Sequence, residues 1–105
     1  MRRPGLKPPN ELVAAVVARD GLSRRTWRVI TFVHEWAICE AEFGRHVTST
    51  EFAHWTVSSR KTAFNRLTDF RALFPEFSTP ADMIRWPHER PATADLDELD
   101  WTAIA

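Results

Sequence analysis

Apolar residues recur at alternating spacings of three and four between Val29 and Phe43. Val29, Phe32, Trp36, Cys39 and Phe43 form one stripe, and Ile30, Val33, Ala37 and Ala41 widen it. That period marks an α-helix with a buried face. The polar remainder is narrow: Arg24, Arg28, Thr31, Glu35 and Glu42. The pattern predicts a long central helix, apolar around most of its girth. Ser23 is suited to cap its start, and Gly44 to end it in a left-handed conformation. Before it, Leu12, Val13, Val16 and Val17 predict a shorter helix from a cap at Asn10 to about Asp20.

Two more helices follow. Thr48 with Glu51 three residues on makes a capping box, and Phe52, Ala53 and Trp55 supply an apolar face. Ala53 is small where two crossing helices would approach most closely. Ser58 or Ser59 is placed to cap a second helix that meets no proline before Pro75. At about 100° per residue, Ala63, Leu67, Phe70 and Phe74 share one stripe of that helix. Lys61, Asn65, Thr68 and Ala72 lie opposite, with Arg60, Arg66 and Arg71 on the flanks and Phe64 at the boundary. Thr79-Pro80-Ala81-Asp82 is a further start signal, after which Met83, Ile84 and Trp86 pack back on the core until Pro87. No alternating strand pattern appears, so no β-wing is expected. The fold predicted is all-α, a small bundle of about five helices.

The stretch from 48 to 72 resembles the helix-turn-helix of bacterial and phage DNA-binding proteins. Phe52, Ala53, Ser59, Thr62, Ala63 and Leu67 carry the resemblance. The turn glycine of that motif is replaced by Val57, flanked by Thr56 and Ser58. A β-branched residue is poor at positive φ, so the turn is expected to depart from the standard one. A second stretch, Gly21 to Arg28, fits the same turn pattern with Gly21, Ser23 and Thr26-Trp27, but no alanine occupies the close-contact position upstream. The helix that follows it reads as buried scaffold rather than as a reader.

The resemblance implies that the helix at about 59–72 enters the major groove of double-stranded DNA. Lys61 is suited to the O6 and N7 of guanine, Asn65 to a bidentate pair with adenine, and Thr68 completes the base-facing set. Ser58, Ser59, Arg60, Arg66 and Arg71 suit phosphates, which give affinity and register. Arg2 and Arg3 in the N-terminal arm, and Arg24, Arg25 and Arg28, are additional candidates for DNA contact. The alternative is an amphipathic helix with an ordinary solvated face.

A chain of 105 residues makes one domain with a modest core. It divides into a basic, proline-rich arm (1–9), a helical domain (10–90) and an acidic tail (91–105). Net charge is zero, but residues 1–71 hold twelve basic and seven acidic side chains and residues 72–105 hold two and seven. That split suits a basic binding body with an acidic tail. The single cysteine excludes an internal disulfide and fits a reducing compartment. No secretory pattern follows Met1-Arg2-Arg3-Pro4 and no stretch has the length of a membrane span, so the expected location is cytoplasmic.

Enzyme motifs are weak. His34-Glu35 opens like a metalloprotease helix, but Ile38 takes the place of the second histidine. His34, His46, His54, His88 and Cys39 have no paired ligand spacing. The three glycines are isolated, so no phosphate-cradling loop exists. No metal, no cofactor and no catalytic residue are expected. The resulting expectation is a transcription regulator that binds double-stranded DNA as a homodimer. The competing one is a protein-interaction module using the helical surface or the acidic tail at 95–104.

Overall fold

A computed structural model describes residues 8–86. Five helices make up the described fold: α1 (Asn10–Asp20), α2 (Arg24–Phe43), α3 (Ser49–Thr56), α4 (Arg60–Leu73) and α5 (Pro80–Met83). No strand occurs among the described residues, so the molecule is the all-α bundle that the periodicity predicts. Arg2 and Arg3 of the arm, and residues 95–104 of the tail, lie outside the described residues.

Helix α2 is the spine, and all the other helices pack on it. Val29, Ile30, Phe32, Val33, Trp36, Ala37 and Cys39 are buried along its length. Leu12 and Val16 cover it from α1, and Met83 and Ile84 from the α5 region. Phe43 departs from the expected stripe. It is 40% exposed, and the Arg45 guanidinium lies 5.2 Å from its ring centroid. The helix stops where expected, at left-handed Gly44.

Aromatic rings lock α3 and α4 to this spine. Phe52 of α3 stacks on Trp36 at 4.8 Å and meets Phe32 edge-on at 5.3 Å. Phe70 of α4 reaches Phe32 at 6.3 Å and stacks on Phe74 at 5.4 Å. Each such pair adds roughly 0.5–1.5 kcal/mol beyond the burial of area.

The caps follow local sequence with one exception. Ser23, Thr48, Ser59 and Thr79 each accept a backbone N–H near the start of their helices, and Thr48–Glu51 and Thr79–Asp82 form reciprocal capping boxes. Asn10 is not the cap of α1. Val13 N–H donates to the carbonyl of Pro9, which draws Asn10 into the first helical turn. The last helix is also shorter than expected, ending at Met83 rather than near Pro87.

Candidate nucleic-acid interface

The connection between α3 and α4 sets the pose of the α4 surface. Val57 lies in the left-handed region (φ 56°, ψ 37°), contrary to the expectation that a valine would force a different turn. Local hydrogen bonds account for this. Val57 N–H donates to the carbonyl of His54 and Ser58 N–H to that of Ala53, the two-bond closure of a helix end normally seen with glycine. Thr56 Oγ1 lies 3.1 Å from the Phe52 carbonyl and 3.2 Å from that of Ala53. The chain then turns at once into the Ser59 cap of α4.

Helix α4 is held from three sides. Leu67, Phe70, Leu73 and Phe74 are buried beneath it, and Ala63 is half-buried against α3. At its C-terminal end Arg19 of α1 donates to the carbonyl of Leu73, one of those the helix leaves unpaired. The same guanidinium pairs with both carboxyl oxygens of Glu76 and sits 4.5 Å from the Phe74 ring centroid. In the same half of the helix, Arg28 of α2 approaches Asp69 at 3.7 Å. The helix is therefore positioned by packing and by polar ties at a distance from its exposed face.

That face carries Lys61, Asn65 and Thr68, all exposed. The Thr68 hydroxyl donates to the carbonyl of Phe64, so it offers lone pairs rather than its proton. Arg60 is exposed and Arg66 half-buried, and neither takes a carboxylate partner among the described residues. Two other candidate cations are engaged. Arg71 Nε donates to the carbonyl of Ser78, and Arg25 makes a two-bond pair with Asp20. Arg24 is exposed at the start of α2. Ser58 is half-buried and its hydroxyl meets that of Thr56 at 2.8 Å, whereas Ser59 is committed to the cap of α4. Lys61, Asn65, Arg60 and Arg66 on α4, and Arg24 on α2, thus remain the available donors of the expected set.

Beside this face lies a groove of about 790 Å³ between α3 and α4. Thr50, Ala53, His54, Val57, Phe64 and Leu67 contribute to its walls. Val57 is 91% and Phe64 64% exposed, so the groove has an apolar rim.

Sequence reasoning assigned Glu40 no role, yet it is a completely buried hub between the spine and the α3 segment. Its carboxyl group accepts from Trp36 Nε1 (3.0 Å), Trp86 Nε1 (3.2 Å) and Val47 N–H (3.2 Å). His46 Nδ1 lies 2.8 Å from it. The only signal in the sequence is an acid placed next to core positions of α2; its partners come from tertiary contacts. Cys39 is buried beside it, and burial pushes its thiol up to about 12, far from nucleophilic use at neutral pH. Burial likewise lowers the pKa of His34 on the same helix.

No helix among the described residues is long and apolar enough to cross a membrane. The chain matches no protein-family model, no curated protein and no solved structure.

Proposed function

We propose that this protein binds double-stranded DNA by laying α4 in the major groove, as a transcription regulator of helix-turn-helix type. The observation that supports this most is the division of α4. Leu67, Phe70 and Phe74 are fixed in the core, while Lys61 and Asn65 stand exposed on the opposite side. A rigidly held helix with free hydrogen-bond donors on its outer face has what direct readout of base edges requires. Arg60 and Arg66 flank that face and suit the phosphates on either side. Action as a homodimer on two half-sites belongs to the same proposal, because one helix with few base contacts gives little specificity.

Site selection from a random duplex pool tests the assignment of faces. Asn65→Ala is expected to relax preference at one base pair, by roughly 1–3 kcal/mol, and Arg66→Ala to weaken all sequences alike. An Asn65→Ala protein that loses affinity equally for every sequence contradicts the assignment. A second reading draws on the exposed Val57 and Phe64, which also suit an apolar protein partner docking between α3 and α4. Binding of that kind would be insensitive to salt.

A further inference from the structure

Adjoining that groove at Ser58 and Ala63, α2, α3 and α4 line an open cleft of about 520 Å³. Its size falls within the range of small-molecule sites. Phe32 and Phe52, both nearly buried, form the base, and Trp27 stands at the wall with 46% of its surface exposed. A tryptophan left half in water at the edge of an aromatic cleft is a ready stacking surface. Three ionisable side chains line the cleft: Arg28, Arg66 and Glu35. Their charges sum to +1, and to zero once Asp69, the ion-pair partner of Arg28, is included. Arg28 is shared with Asp69 at 3.7 Å, whereas Arg66 has no carboxylate partner among the described residues.

We propose that this cleft binds a small planar monoanion, an aromatic carboxylate being the class that fits. The ring would stack on Trp27 above Phe32 and Phe52. A guanidinium is the side chain best matched to a carboxylate, through two parallel N–H donors. One guanidinium without a carboxylate partner matches a monoanion better than the more highly charged phosphates. The cleft lies between the spine and α4, so a bound ligand would touch both the scaffold and the exposed helix. This inference shares Arg66 with the DNA reading, but its test contains no DNA, so either can fail without the other.

The test is calorimetric titration of the whole chain with 1-naphthoate, with its neutral analogue 1-naphthamide, and with inorganic phosphate, each at millimolar concentration. The expected result is binding of the carboxylate, at least about tenfold weaker binding of the amide, and none of phosphate. Arg66→Gln should lower carboxylate affinity to the level of the amide. Thr31→Trp, a substitution at an exposed α2 position lining the cleft, should abolish binding while the thermal unfolding midpoint shows an intact fold. Backbone amide shifts on titration should centre on Thr31, Phe32 and Thr62. Equal affinity for amide and carboxylate, tight phosphate binding, shifts centred elsewhere, unchanged affinity in a folded Thr31→Trp protein, or no binding of naphthoate would each overturn the proposal.

Discussion

At residue scale, Val57 and Glu40 depart most from what their types favour. A valine in the left-handed region carries backbone strain of roughly 1–3 kcal/mol, and with 91% of its surface exposed it gains little packing in return. Val57→Gly should therefore stabilise the fold by about 1 kcal/mol, the relief of strain exceeding the entropy that glycine adds to the unfolded chain. Chemical denaturation checks this, and a loss of stability would show that the valine side chain makes a contribution its exposure conceals. Glu40 works in the opposite direction. Its removal leaves two indole N–H groups and the Val47 N–H without their acceptor. Glu40→Ala should cost roughly 3 kcal/mol or more, and Glu40→Gln less, since one acceptor oxygen remains. A loss under about 1 kcal/mol for the alanine variant would show that water replaces the carboxyl at this site.

At the scale of elements, two exposed arginine clips tie helix ends to their neighbours, and both make acid sensitivity predictable. Arg45, and then the Thr48 N–H, hold Glu51 at about 2 rather than the usual 4.5. Arg19 does the same for Glu76, also at about 2. The folded-state values lie below the unfolded ones, so this stabilisation is fully present above pH 4.5 and is lost as pH falls toward 2. Carboxyl titration by NMR should place both midpoints near 2, and midpoints near 4.5 would show that the pairs do not persist in solution. The elements themselves were largely legible from the chain, because spacing and caps are local. The α2 stripe, the Ser23, Thr48 and Thr79 caps and the Gly44 stop all depend on residues within a turn or two of each other. What was not legible depends on distant partners. Arg19 is far in sequence from Leu73 and Glu76, and Glu40 from Trp86; the Asn10 cap is a local exception, failing because the neighbouring Pro9 carbonyl accepts the first helical hydrogen bond. On α4 the exposed positions followed from periodicity, whereas the engagement of Ser58 and Arg71 with nearby backbone and side chains did not.

For the whole molecule, the charge distribution separates the two functional readings. Twelve basic against seven acidic side chains fall in residues 1–71, which contain α1 to most of α4. Contacts between such a body and phosphates release counterions, whereas an apolar protein contact does not. The most direct measurement is fluorescence anisotropy of a labelled random duplex pool titrated with the whole chain at two salt concentrations, beside the Lys61→Ala/Arg66→Ala protein. The DNA reading predicts binding that weakens by about 0.9 log unit per log unit of salt for each phosphate contact, and its collapse in the double variant. Absence of binding at low salt, or binding that neither salt nor the double substitution alters, would contradict it.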